Sequence, residues 1–332
     1  MRNHLVTMVG WVAAVGFMLT VVMTPAAIGA EKLNYRLKWL FNTSVVGDLY
    51  ADVRGEFAAA GLDVTVKAGG PERDAIKELE LGQAQFGVAS ADQVIRAMAK
   101  GSPVVVIAQL FQVNPLQWIY RQADRPISRL EDLRGRTIGI TFGGNDETIM
   151  RTLLAKAGLT EKDVTLFSVR YDYTPFYQKR VDIWPVYRNT QGIVIGQKMV
   201  NEGEGVRFFI PSRYGVQFVA NSVVTSRQMI QQRPDTVRRF ITALMKAWEA
   251  ALDPARSDIT LQMLQQFDKE TSRKMLEAQL TITRGLVKPQ AGLAIGTIDV
   301  EAWRQTEQIM YDQKQIVKPV HIETALMPGL AK

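Results

Sequence analysis

Polar turns recur at the ends of apolar runs in this sequence, and their groups are suited to holding a small ligand. Gly69-Gly70, Ser90 with Asp92 and Gln93, and Gly143-Gly144-Asn145 each follow a short apolar run and precede a helical pattern. Such a turn presents backbone N–H groups at the positive end of a helix. Ser90, Gln93 and Asn145 add hydroxyl and amide hydrogen bonds. Asn42, with Thr43 and Ser44, occupies a further turn, where each can accept a backbone N–H and start a helix. Aromatic side chains stand at comparable places: Trp39, Tyr171, Tyr173, Trp184, Tyr187 and Tyr214. A planar ligand with a polar edge would use a stacking face together with amide partners, because a buried polar edge must be paired. Plainer readings stand beside this one. Gly-Gly can be only a tight turn, Tyr and Trp can be partly buried structure, and Asp172 and Asp182 can be caps or surface groups. The recurrence at several strand ends is what favours a site, and Asp172 is kept as a candidate contact in the aromatic loop Tyr171–Tyr177.

Other chemistries lack their residues. The only histidines are His4 and His321, and there is no cysteine. A Ser–His–Asp set therefore has no partner group, and no His/Cys cluster stands at metal spacing. Neither a dinucleotide glycine fingerprint nor a phosphate-binding P-loop occurs. Scattered carboxylates leave an Asp/Glu pair open. The sequence calls for no catalytic residue, cofactor or metal.

The elements that must position the turns can be read from periodicity. Leu33, Tyr35, Leu37, Trp39 and Phe41 alternate with more polar residues, which is the period of a strand. Val46–Ala60 is a helix stopped by Gly61, Leu62–Lys67 is a strand, Glu72–Leu81 a helix, Gln85–Ala89 a short strand, and the helix after Ser90 runs to Lys100. Pro103–Leu110 is continuously apolar, as in a strand covered on both faces. This βαβαβαβ order implies a mainly parallel sheet. The pattern restarts after Gln117–Arg121, with strands at Thr137–Thr141, Val164–Val169, Val181–Tyr187 and Val206–Ile210 and helices at Asp146–Ala157 and Gln191–Gly203. Val216–Thr225 alternates again as a strand. In the long helix after Pro234, Val237, Phe240, Ile241, Leu244, Trp248, Ala251 and Leu252 form one apolar face. Two α/β lobes joined by two crossings fit this order, with lobe 1 as residues 31–120 plus 221–332 and lobe 2 as residues 121–220. A single large doubly wound domain is the alternative. A cleft between lobes is a common ligand site.

Residues 1–30 have the layout of a secretory signal peptide: Arg2 and His4, then apolar Leu5–Val22, then small residues ending at Ala30. An uncleaved anchor is the alternative, since a run of roughly 18 residues is at the lower edge for spanning. With no cysteine near residue 30, a lipid anchor is excluded, and an exported, unanchored protein points to a periplasm. The net charge is +7 with a hydrophobic share of 47%. The basic residues are scattered, with no stripe of interleaved aromatics for nucleic acid. The excess is compatible with an anionic ligand without requiring one.

Several of these stretches resemble one family in order. Trp39-Leu40-Phe41-Asn42-Thr43 with Gly47 and Tyr50 is similar to a first-strand motif W-x-P-N-T followed by G-x-Y, with Phe41 in place of proline. The Gly69-Gly70 turn, Gly87–Gln93, Phe111-Gln112, Thr137–Thr141 with Gly143-Gly144, and Tyr214-Gly215 with Phe218 continue it, over roughly residues 33 to 252. The chain resembles the substrate-binding proteins of ABC importers related to the thiamine-pyrimidine precursor-binding proteins, whose fold is shared by the hydroxymethylpyrimidine synthases. The resemblance implies a two-lobed, hinged periplasmic-binding-protein-like fold (type 2), each lobe a mainly parallel α/β sheet flanked by helices. It implies a monomer that captures a small molecule and delivers it to an inner-membrane ABC permease. Trp39 and Asn42 match the pocket-lining part of the first motif, and Gly69, Gly70, Ser90, Gln93 and Gly144 match the cleft turns. Gln112, Asn145, Asp172 and Tyr214 complete the candidate set, with Trp184 and Tyr187 where relatives present second-lobe contacts. Synthase-like members carry a reactive histidine after the first motif. Here that place is Val45, which transfers no proton.

The expectation is a non-enzymatic solute-binding protein for a small heteroaromatic of the pyrimidine vitamin-precursor type. Alternatives are an alkylsulfonate or nitrate-type anion, which a buried Arg170 or Arg188 would favour, a riboflavin-like ring, or a secreted enzyme on the same fold.

Overall fold

The computed structural model describes residues 31–330. The expected signal segment, residues 1–30, lies outside the described residues. Among the described residues ten strands form two sheets: β1 (Glu31–Arg36), β2 (Leu62–Lys67), β3 (Phe86–Ala89), β4 (Val104–Gln109), β5 (Leu116–Arg121), β6 (Thr137–Ile140), β7 (Thr165–Ser168), β8 (Ile183–Tyr187), β9 (Val206–Phe209) and β10 (Ser222–Ser226). The first sheet has the order β2-β1-β3-β10-β4 and the second β7-β6-β8-β5-β9.

Each sheet is parallel except for one strand. β10 pairs antiparallel with both β3 and β4, and β5 pairs antiparallel with both β8 and β9. These are the strands by which the chain enters each sheet after crossing from the other. β5 is hydrogen-bonded wholly into the second sheet, so the outgoing crossing occupies residues 110–115, ahead of Tyr120. The return runs over residues 210–221, and β10 begins only at Ser222 although the alternation reads as strand from Val216. The continuous apolar run at residues 103–110 is explained by β4, every residue of which is buried, as a strand with both faces covered requires.

The first strand stops sooner than its alternation implies. β1 ends at Arg36, and the chain then bends through residues 37–42. Two hydrogen bonds still tie this bend to the neighbouring segment, Leu37 N–H to Lys67 O at 2.9 Å and Gly69 N–H to Trp39 O at 2.9 Å. A Cβ at Gly69 would overlap the Leu37 carbonyl oxygen, so this close backbone approach requires glycine. The bend is what takes Lys38 and Trp39 out of the sheet and toward the other lobe.

The long helix Pro234–Leu252 lays its apolar face on the first sheet. Phe240 stacks on Phe86 with centroids 3.6 Å apart and meets Tyr35 edge-on at 5.1 Å. Truncating a ring this buried costs about 3–5 kcal/mol. Helices Arg273–Val287 and Val300–Asp312 also lie against first-lobe elements. Among the described residues no helix is long and apolar enough to cross a membrane.

Candidate ligand-binding cleft

Five strand ends converge on one cavity of about 330 Å³ between the sheets, at the small end of the size range for small-molecule sites. From the first lobe come the bend after β1 and the turns after β2 and β3. From the second come the turn after β6 and the end of β8.

The bend after β1 contributes Lys38, Trp39 and Asn42. Asn42 caps the short helical turn Thr43–Val45, its Oδ1 accepting the Ser44 N–H at 2.8 Å. Val45 also lines the cavity, so the place of the synthase-like members' histidine holds an apolar side chain inside the site. After β2, Gly70 lines the wall, and Glu72 forms an ion pair with Arg170 of the opposite lobe. After β3, the Gln93 side chain reaches back to accept the Ser90 N–H at 3.1 Å, one half of a capping box.

The turn Thr141–Gly144 opens the helix Asn145–Lys156, whose N-cap Gly144 offers no side chain to the first turn. Asn145 and Asp146 are both about 95% buried. Burial pushes the Asp146 carboxyl up to about 6, against the pull of the Thr141 N–H, its own backbone N–H and the Lys38 charge. Asn145 Oδ1 accepts from Lys38 Nζ at 2.7 Å, while its Nδ2 is buried without a partner. Lys38 Nζ also donates to the Tyr187 hydroxyl at 2.9 Å, which sends its own proton to Asn221 Oδ1 at 3.4 Å. These bonds join the lobes across the cleft, as do the Trp39 and Tyr171 rings, whose centroids lie 5.8 Å apart.

Of the sequence-predicted set, Trp39, Asn42, Gly70 and Gln93 meet Gly144, Asn145, Trp184 and Tyr187 around this cavity. The others stand outside its wall, each for a visible reason. Gly69 serves the close backbone approach to Leu37. Ser90 is fully buried, its hydroxyl donating to Asp92 Oδ1 at 2.6 Å. Gln112 donates to Thr297 O at 2.8 Å, on the C-terminal side of lobe one. Asp172 is held below the usual carboxylate range by the hydroxyl and N–H of Thr174 and so caps its own turn. Tyr214 packs on Phe209 and donates to Ile127 O at 3.2 Å. Trp184 is only 1% exposed and meets Tyr173 edge-on at 6.0 Å, so it offers the cavity an edge and serves mainly as second-lobe core.

Sequence reasoning missed Lys38, Gln191 and Asn221. Lys38 reads as a polar-face strand residue, and only the bend after Arg36 turns it inward. Asn221 sits in the return crossing, whose position no local pattern gives. Of the two arginines that would favour an anion, Arg170 lines the cavity but is 65% exposed and paired with Glu72, and Arg188 is not part of the cavity wall.

Two α/β lobes closing strand-end turns around a small cavity define the substrate-binding-protein class of fold. The NMT1/THI5-like profile matches residues 42–257, and the chain belongs to that family. Among characterised relatives it is 26% identical over 306 residues to a riboflavin-binding protein of Chloroflexus aurantiacus, covering 89% of this chain and 84% of that one. It is 25% identical over 303 residues to a formylaminopyrimidine-binding protein of Halalkalibacterium halodurans, covering 89% of each. Among solved structures, the alkanesulfonate-binding protein SsuA of Xanthomonas axonopodis pv. citri bound to MOPS superposes with a TM-score of 0.70 at 17% identity, covering 90% of this chain and 99% of that one. A desulfurization enzyme, DSZB, shares the fold at a TM-score of 0.57 and 15% identity, covering 91% and 97%.

Proposed function

We propose that this protein is the periplasmic solute-binding component of an ABC importer, and that it captures a small heteroaromatic ligand of the pyrimidine type between its lobes. In this reading residues 1–30 are a cleaved signal peptide. The return strand β10 and the C-terminal helices complete lobe one, residues 116–209 carry the sheet of lobe two, and an inner-membrane permease receives the ligand from a monomer. The observation that carries the reading is the composition of the cavity wall: the Trp39 ring of lobe one is combined with carboxamides from both lobes and the Tyr187 hydroxyl of lobe two. That combination suits a flat ring with hydrogen-bonding edges. Closure then needs only tighter binding to the closed form than to the open one.

The enzyme alternative lacks support at the site. Val45 occupies the place of the synthase histidine, and the cavity wall contains no histidine or cysteine. The anion alternative rests on the cations of the wall, Lys38, Arg73 and Arg170, of which Lys38 is tied to Asn145 and Tyr187. Intrinsic tryptophan fluorescence and melting temperature, measured against pyrimidines, flavin-type rings, an alkanesulfonate and nitrate, separate the readings. The ring reading predicts shifts with ring compounds. A response to the sulfonate or nitrate alone overturns it.

A further inference from the structure

The side-chain amides of the cleft all face the same way. Every carboxamide in the cavity wall has its oxygen engaged by a protein donor. Asn42 Oδ1 accepts the Ser44 N–H at 2.8 Å, Gln93 Oε1 the Ser90 N–H at 3.1 Å, and Gln191 Oε1 the Tyr187 N–H at 3.3 Å. Asn145 Oδ1 accepts from the Lys38 ammonium at 2.7 Å, and Asn221 Oδ1 from the Tyr187 hydroxyl at 3.4 Å. Backbone N–H and ammonium groups can only donate, so at Asn42, Gln93, Gln191 and Asn145 the facing atom must be the amide oxygen, and at Asn221 the Tyr187 hydroxyl donates its own proton. The amide NH₂ groups of these cavity-lining side chains are the donors left without an assigned partner. The clearest is Asn145 Nδ2, on a side chain 5% exposed, fully buried and without a protein partner. It stands at the N-terminus of a twelve-residue helix, where the backbone N–H groups add to the same polarity. The carboxylates of the wall are already engaged: Glu72 with Arg170, Asp74 with the N–H groups of Ile76 and Lys77, and Asp146 with the Thr141 N–H.

We infer that the cleft selects rings whose edge carries hydrogen-bond acceptors, of the carbonyl-bearing pyrimidinedione type, over amino-substituted rings of the same size. Lys38 and Asn145 set that preference. The inference rests on the ring-binding reading above and narrows its ligand class. A ring carbonyl placed at Asn145 Nδ2 satisfies a donor that is otherwise buried and unpaired. An exocyclic amine there would leave two donors facing each other.

Calorimetric titration of the mature protein with uracil and with 2,4-diaminopyrimidine, at a pH where both are neutral, tests this. The wild type is expected to bind uracil tighter by about ten-fold or more, the effect of one hydrogen bond to a charged or buried donor. Asn145→Asp replaces the free donor with an acceptor while keeping a partner for Lys38, so the preference should shrink or reverse. Lys38→Met, which keeps the aliphatic stem, should lower uracil affinity about ten-fold and leave diaminopyrimidine affinity unchanged or raised. Melting curves establish that each variant is folded, and Lys38→Met stands alone if Asn145→Asp is not. Equal or tighter binding of diaminopyrimidine by the wild type overturns the acceptor-edge inference and leaves the ring reading intact. Binding of neither uracil, diaminopyrimidine nor lumichrome overturns both.

Discussion

Lys38 and Tyr187 meet across the cleft, the ammonium donating to the phenolic oxygen at 2.9 Å while lying 5.4 Å from the ring centroid. Lys38 follows β1 of the first sheet and Tyr187 ends β8 of the second, so the pair is both a wall of the site and a contact between lobes. Tyr187→Phe removes the oxygen that accepts from Lys38 and donates to Asn221. With about 1 kcal/mol for such a bond, ligand affinity should fall roughly five-fold while melting of the ligand-free protein changes little. Calorimetry of the variant checks this, and unchanged affinity would remove the pair from the binding account.

Gly70 and Tyr171 form a second contact between lobes. Gly70 has φ +148, and a Cβ placed on it would collide with the Tyr171 hydroxyl. Gly70→Ala should therefore hold the lobes apart and weaken binding by roughly ten-fold, the backbone conformation adding about 1 kcal/mol or more of strain. Combining it with Tyr171→Ala relieves the collision and should restore part of the affinity. If the double variant binds no better than Gly70→Ala, backbone strain alone is responsible.

A buried carboxyl sets the pH dependence of stability. Asp48 is fully buried in lobe one, its Oδ1 accepting from Tyr35 at 2.6 Å and Trp248 at 3.4 Å while Oδ2 has no partner. Burial pushes it up to about 7, against the pull of those hydrogen bonds. The folded state thus holds this proton more tightly than the unfolded chain does. The resulting stabilisation is full below the ordinary carboxylate value and is lost as pH rises through about 7. Asp146, raised to about 6, contributes with the same sign. Between pH 5 and 8 the melting temperature should fall, with a single group contributing at most about 1.4 kcal/mol per pH unit. Asp48→Asn should flatten the profile. A melting temperature that rises over this window in both proteins would contradict the assignment.

Arg170 offers a negative control. Its ion pair with Glu72 crosses the mouth of the cleft, but both side chains are about two-thirds exposed, and exposed pairs contribute about 0–1 kcal/mol. Arg170→Ala should change ring affinity by less than about five-fold. A larger loss, seen for an alkanesulfonate in particular, would make the arginine a ligand contact.

The sequence made some parts of this cleft readable and hid others. Trp39 and Asn42, Gly144 and Asn145, and Gln93 could be found because each stands where a period-two run yields to a turn and a helix, which is a local signal. Lys38 could not, because alternation continues through Phe41 while β1 ends at Arg36. The bend is imposed by the backbone of Gly69, which is distant in sequence. Ser90 was placed correctly at a strand end, yet its hydroxyl is consumed by its own helix cap. Gln112 and Tyr214 lie in the two crossings, at turns as polar as the others, but their polar groups are spent on Thr297 O and Ile127 O. Which strand ends face one another depends on the antiparallel insertion of β5 and β10, a long-range choice with no short-range signature.

Native mass spectrometry of the protein purified from cells that produce it, with release and identification of any bound small molecule, tests the central claim most directly. A planar heteroaromatic ring bearing carbonyl acceptors is the predicted finding. A sulfonate, nitrate or other non-aromatic anion in its place would contradict the account.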